Sequence, residues 1–258
     1  GVVHGVVTLG HTYRFQDTIA TFARAVQAGD ADTAVAILRD HTPDLEFVET
    51  ENPVALDEVR DDVVAAGRDL SVAARENNAA DALAALNRHR LLCAHRHGPY
   101  GVARWSSEIE QWLSAELPGL TDAGEWYPGR PVLITANDYD TDLYNGDTGV
   151  VLATPDGPRV AFDTDRPPFA PSRLADVTTV HAMTVHRAQG SQFERVTVVL
   201  PPAESPLLTR ELLYTAVTRA EKFVRIVGSE AAVRAAITRP VNRASGLRRR
   251  LAIDDPQE

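Results

Sequence analysis

Apolar residues recur at helical spacing at Ile19, Phe22, Ala23 and Val26, and the pattern stops at Gly29-Asp30. Val2, Val3, Val6 and Val7 with Leu9 precede it and read as a buried strand, so the chain opens as strand, loop and helix. Residues 54–87 are rich in Ala and Leu with little Gly or Pro; they predict two helices, followed by a short strand over 90–94. Ser106 or Ser107 is placed to cap an amphipathic helix carrying Ile109, Trp112 and Leu113, which ends at Pro118-Gly119. Up to this point the pattern is that of an α/β domain.

The texture changes after Trp126. Residues 131–135, 148–152 and 159–162 are short strand candidates separated by Asn-Asp, Asn-Gly and Asp-Gly turn signals. Alternation then resumes with a strand over 177–184, a strand over 196–200, a helix over 210–220, a strand over 223–227 and a last helix from Ser229. The β unit, residues 125–181, therefore reads as an insertion that divides one larger α/β domain into residues 1–124 and 182–258. No internal repeat or low-complexity tract interrupts this plan.

Composition adds bounds. A chain of 258 residues with 44% hydrophobic content can bury a core, consistent with one large unit and one small one. Its single cysteine, Cys93, excludes an internal disulfide. No run approaches the roughly 18 apolar residues of a membrane span, so a reducing, cytoplasmic setting without membrane contact is the expectation. Gly1-Val2-Val3 carries neither initiator Met nor signal-peptide pattern and reads as the edge of a cut piece.

The net charge of −10 argues, in bulk, against a protein that lives on phosphates. Its distribution weakens that objection. Residues 40–62 hold nine acids and one base, Arg60, whereas residues 234–250 hold six arginines and no acid. The acidic run reads as a solvated helical face.

Candidate chemistry gathers in two stretches. Thr184, His186, Gln189 and Ser191 surround Gly190. A glycine lets backbone approach a phosphate, and hydroxyl, imidazole and amide groups can hold phosphodiester oxygens without reading bases. Arg219, on the helix predicted over 210–220 with Tyr214 and Thr215, could insert into a nucleotide site and stabilise charge on a transferring phosphoryl group, a task its planar fork suits. Arg14, after the first strand, could be a second phosphate sensor; read singly, each arginine is ordinarily a surface or salt-bridge residue, and only the surrounding residues favour the other reading. His181 and His186 are five apart, wrong for a helical metal pair, and no metal site is expected.

Taken as words, residues 9–15, 184–193 and 214–220 resemble motifs IV, V and VI of superfamily 1 helicases. The resemblance is closer to the RecD family, the alpha subunits of exodeoxyribonuclease V. It is supported by residues 91–102, by Gly129-Arg130-Pro131-Val132-Leu133-Ile134 with Asn137-Asp138 and residues 145–149, and by Arg243-Ala244-Ser245-Gly246-Leu247. It spans nearly the whole chain and is weakest over 30–88.

This resemblance implies a RecA-like motor domain of the P-loop NTPase type, 2A, with a small SH3-like β domain, 2B, inserted between motifs IV and V. It implies a 5′-to-3′ motor on single-stranded DNA that works with RecB and RecC subunits in double-strand break repair and recombination, the nuclease chemistry lying in RecB. ATP and Mg2+ would be held mainly by a first motor domain, because no G-x-x-x-x-G-K-[ST] phosphate loop occurs in these 258 residues. The chain alone is therefore expected to be inactive. Arg14 and Arg219 would be the catalytic arginines and would face the nucleotide together with Gln189 and Gly190. Thr184, His186, Gln189 and Ser191 would lie along DNA.

Three positions depart from the pattern: Gln192 stands where relatives commonly have glutamate, Arg187 replaces lysine, and Ala188 replaces serine, removing one possible phosphate hydroxyl. Asp57-Glu58-Val59-Arg60 imitates a Walker B box but leads a helix, and Gly146-Asp147-Thr148-Gly149 lacks the lysine and helix of a phosphate loop. Tyr139, Tyr144 and Phe162 in the β unit read as core rings or, alternatively, as a stacking platform. Two other readings stay open: a RecD-like single-subunit enzyme or relaxase helicase, and a non-catalytic module that binds DNA or a partner.

Overall fold

The structure, a computed structural model, describes residues 2–3, 6–7, 17–40, 42–50, 57–120 and 124–241. The stretch carrying Arg14 and the tail from Arg243 lie outside them. At the start, β1 (Val2–Val3) and β2 (Val6–Val7) pair antiparallel with each other; the single strand expected there is two short ones. Helix α1 (Asp17–Ala28) ends at Gly29, whose φ of 78° suits a residue without a side chain. Asp30 then caps α2 (Ala31–Arg39), its carboxylate accepting from Thr33 N at 3.0 Å.

Strand β3 (Leu45–Glu49) follows, inside the acidic run expected to be a helical face. Tertiary partners decide this segment: Leu45 is fully buried, Phe47 and Val48 pack against the clusters on opposite faces of the sheet, and Glu46 reaches Arg225 on the neighbouring strand. Helices α3 (Asp57–Arg75) and α4 (Ala79–Leu86) and strand β4 (His89–Cys93) match expectation. Helix α5 (Val102–Glu116) starts a full turn earlier than expected, behind Gly101, leaving Ser106 and Ser107 inside it.

Strands β5 (Pro131–Ile134), β6 (Thr148–Thr154), β7 (Gly157–Phe162) and β8 (Val177–Thr179) form one antiparallel sheet in the order β7-β6-β5-β8. The strand expected over 177–184 is cut at Val180-His181: its first part ends as β8, and its second, β9 (Ala182–Thr184), joins the other sheet. Then come β10 (Phe193–Val199), α6 (Arg210–Val217), β11 (Ala220–Gly228) and α7 (Glu230–Thr238).

The larger sheet has the order β3-β11-β10-β4-β9, and its neighbouring strands all pair parallel. Parallel strands need both faces covered, and the two hydrophobic clusters supply that cover. On one face Ile19, Phe22 and Val26 of α1, Leu38 of α2, Leu213 of α6 and Ile237 of α7 pack with Val196, Val198 and Val224. On the other, Val59 and Val63 of α3 and Trp105, Ile109 and Leu113 of α5 pack with Leu91, Val199 and Val227. Helices α3 and α4 extend beyond the sheet to cover Val150, Leu152 and Ala161 of the antiparallel sheet. Helix α3 thus belongs to both sheets and fixes the β unit against the α/β core.

Gly129 marks a close approach within that junction. It has φ 89°, and a side chain there would meet the Ser71 Cα of α3 at 2.9 Å.

Candidate nucleic-acid interface

Strand β9 ends at Thr184, and the chain then folds into a compact turn. The buried Thr184 hydroxyl accepts from Arg187 N at 3.3 Å, Ala188 N donates to Thr184 O at 3.1 Å, and Ser191 N donates to Ala188 O at 3.1 Å. Gly190, at φ 92°, permits the reversal, while Val185 and Ala188 anchor the turn from inside. His186, Gln189 and Gly190 are left exposed at its crest. Ala188 is fully buried, so position 188 faces the core and a hydroxyl there would not reach a phosphate.

The turn is stitched to the end of α6. Phe193 N donates to Arg219 O at 2.8 Å. The Arg219 guanidinium donates to Ser191 O at 3.1 Å, to Thr215 O at 3.2 Å and to the Thr218 hydroxyl at 3.3 Å. Arg219 is not on the helix, which stops at Val217: the Thr218 hydroxyl donates back to Thr215 O at 3.0 Å, and Ala220 is drawn into β11 opposite Phe193. Partial burial lowers the Arg219 pKa from its usual value, with Tyr214 opposing, and the group stays cationic.

The crest separates two clefts. One, of about 570 Å³, runs between His186, Arg187, Gln189, Gly190 and Ser191 on one side and Asn145, Gly146 and Asp147 of the antiparallel sheet on the other, with Arg96 at its edge. Arg96 and Arg187 make it cationic in an acidic chain. Its one carboxylate, Asp147, is engaged by Tyr144 N at 2.7 Å. The other cleft, of about 460 Å³, lies between His186 and Gln189 and the start of α6, and is lined by Val185, Leu207, Leu212 and Val241 with Thr215. The first offers donors to an anion; the second offers apolar surface.

Arg96 lies within residues 91–102, which carry part of the resemblance but no expected role. The signal available was three consecutive basic residues, His95, Arg96 and His97, just past a buried strand, where α/β sheets place their ligands. His95 is used structurally, its Nε2 lying 2.8 Å from the Ser205 hydroxyl. His181 and His186 do not meet as a pair. His181 is buried between the sheets, its Nε2 3.2 Å from Tyr127 Oη, and burial first, then Arg90 and Arg130, pull its pKa down to about 3. Among the described residues no group of three or more His, Cys, Asp or Glu is placed to hold a metal ion.

Sequence reasoning also missed an ion network beneath the larger sheet, built of half-buried side chains around the buried Arg225. Arg225 donates to Glu46 at 2.8 Å and to Asp62. Asp62 also takes Arg195 at 3.2 Å, whose guanidinium lies 3.8 Å from the centre of the Phe223 ring. It joins β3, β10, β11 and α3.

The strand-turn-strand unit bearing this crest falls in a recognised class: residues 179–227 match the UvrD-like helicase C-terminal domain. The RecBCD enzyme subunit RecD of Mycolicibacterium smegmatis is 52% identical over 247 residues, 96% of this chain and 44% of that protein. The ATP-dependent RecD2 DNA helicase of Deinococcus radiodurans is 36% identical over 153 residues, 58% of this chain and 21% of that protein. Among solved structures, the Pif1 helicase from Bacteroides in complex with ADP-AlF3 and ssDNA aligns at 14% identity with a TM-score of 0.44, over 96% of this chain and 57% of that one. The chain belongs to the RecD family. It spans less than half the length of the mycobacterial RecD relatives it matches.

Proposed function

We propose that this chain is the C-terminal motor half of an ATP-dependent 5′-to-3′ DNA helicase subunit, acting with RecB and RecC subunits in the break repair of exodeoxyribonuclease V. The observation that carries the reading is the stitching of a DNA-facing crest to a phosphate-sensing arginine: Ser191, beside Gln189 and Gly190, shares a hydrogen bond with Arg219. In this reading the parallel sheet with its helices is motor domain 2A, and residues 125–181 are the SH3-like domain 2B.

Single-stranded DNA would run through the cationic cleft, its backbone held by His186, Gln189 and Ser191 with Arg96 and Arg187 supplying charge. Thr184 positions the crest from beneath, through its bond to Arg187 N. Contacts of this kind read backbone rather than sequence, as a translocating motor requires.

ATP with Mg2+, held mainly by residues outside this chain, supplies the free energy of phosphoryl transfer. The residues here fit a supporting part. A guanidinium has five N–H donors, and three bonds to protein acceptors leave Arg219 two to offer a phosphate, one on each Nη. Because Arg219 also grips Ser191, a pull on the arginine reaches the crest directly. Arg14 would stand with it, and the 258 residues alone would turn over no ATP.

Binding of a labelled dT oligonucleotide tests the interface. His186→Ala with Gln189→Ala weakens it about tenfold, two lost hydrogen bonds, without changing the unfolding midpoint. Arg96→Ala lowers the salt slope by about 0.7. Affinity that is the same in the parent chain and all variants contradicts this interface.

A further inference from the structure

The long loop of the antiparallel sheet, residues 135–147, borders the cationic cleft at one end but is built differently along its outer part. Asp138 N donates to Leu143 O at 2.8 Å, Leu143 N donates back to Asp138 O at 3.1 Å, and Asp138 Oδ1 accepts from Asp140 N at 3.0 Å. Thr141 and Leu143 are buried and pin the loop from inside. On this ordered frame Tyr139 is 76% exposed and Tyr144 47%, their rings edge to face with centroids 6.4 Å apart. Neither ring is core, unlike Phe162, which is buried against Phe169. Packing does not account for two tyrosines held out of a hydrogen-bonded loop.

Their surroundings are anionic. Asp138, Asp140 and Asp176 line a groove of about 330 Å³ beside Tyr139, with Ile134, Leu143 and Leu174 as its apolar part. Asp142 lies between the tyrosines in sequence. Of the nearby bases, Arg166 is paired with Asp142 and Arg173 interacts with Asp138. A single strand stacked on these rings would bring its phosphates against the carboxylates, whereas stacking platforms for nucleic acid sit in positively charged grooves. A guanidinium satisfies both features at once: its plane lies on a tyrosine face and its edge pairs with a carboxylate.

We propose that this surface docks an arginine-bearing segment of a protein partner, with guanidinium groups on Tyr139 and Tyr144, carboxylates of Asp140 and Asp176 as counter-charges, and an apolar side chain in the groove. The proposal stands apart from the reading of the neighbouring cleft, since it concerns different side chains and the opposite charge.

The test uses a labelled synthetic peptide of alternating arginine and alanine, its lysine counterpart and a dT oligonucleotide, followed by anisotropy at low salt with this chain. The arginine peptide binds more tightly than the lysine one, and Tyr139→Ala with Tyr144→Ala weakens it about fivefold or more although net charge is unchanged. Asp140→Asn with Asp176→Asn weakens it as well and flattens its salt dependence. Peptide binding that ignores the tyrosines means diffuse attraction to an acidic protein and overturns the proposal. It is equally overturned if the tyrosine variant loses the dT oligonucleotide instead, which makes the rings a stacking platform, or if it dissolves a dimer seen by sedimentation, which makes the occupant a second copy.

Discussion

The Arg219 guanidinium donates to the carbonyl oxygen of Ser191 at 3.1 Å, across 28 positions of chain. With Phe193 N on Arg219 O, it locks the crest after β9 to the turn after α6. The two motifs that sequence reading treats as separate words are one hydrogen-bonded unit. The arginine proposed to sense phosphate is thus also the residue that holds the crest proposed to face DNA.

Asp62 is the counter-charge for two arginines, one of them buried. Removing it by Asp62→Ala leaves the buried Arg225 with Glu46 as its remaining carboxylate, beside the Glu58 carbonyl, and should cost about 3 kcal/mol of stability, the lower end for breaking a buried pair. Urea unfolding measures it; a loss below about 1 kcal/mol means the network is solvated and dispensable.

Two buried histidines set the acid limb of stability. Burial pulls His89 down to about 4, partly opposed by Asp62, and His181 to about 3, both below the ordinary value of 6.5. The unfolded chain therefore binds protons that the native one refuses. Stability from this source is fully present above pH 6.5 and falls as pH drops from there toward 4 and 3, by up to about 1.4 kcal/mol per pH unit for each histidine. Replacing both by glutamine should flatten urea midpoints between pH 6.5 and 4.5; an unchanged pH slope assigns the effect to other groups.

Gly129 should tolerate no side chain. Gly129→Ala combines a positive φ with a contact against the Ser71 backbone, and it should cost more than about 1 kcal/mol. Gly146→Ala, also at positive φ but with open space around it, shares only the backbone part. Similar losses in the two variants would mean that close approach of α3 to the backbone at Gly129 contributes nothing.

Much of the scaffold was legible in the sequence because local signals and tertiary demands agree. The runs at 90–94 and 196–200 are apolar enough to be central parallel strands, and the turn pairs of the β unit sit between strands that do form. The failures share a cause: partners far away in sequence. Glu46 and Glu49 look like a solvated face until Arg225, 179 residues on, is seen to take Glu46 into the sheet edge. The strand over 177–184 shows no break, yet Val180 carries the chain from one sheet to the other, its carbonyl held by the buried Arg90 at 2.9 Å. Helix α6 stops short of Arg219 because Ala220 is claimed by β11. The residues of the crest were identifiable by type and spacing, but which of them face solvent was not: Thr184 and Ala188 are buried, and His186 and Gln189 are not.

The most direct test of the account is DNA-stimulated ATP hydrolysis by the full-length subunit carrying this chain, with Arg219→Ala and Arg219→Lys beside the parent, and single-strand affinity measured in parallel. The account predicts a fall in kcat of at least about 10³ for Arg219→Ala. Arg219→Lys recovers little, because a lysine lacks the fork that serves crest and phosphate together. Single-strand affinity stays within a few-fold. Unchanged turnover in Arg219→Ala, or a loss of DNA binding as large as the loss of turnover, contradicts it and makes Arg219 a structural tie alone.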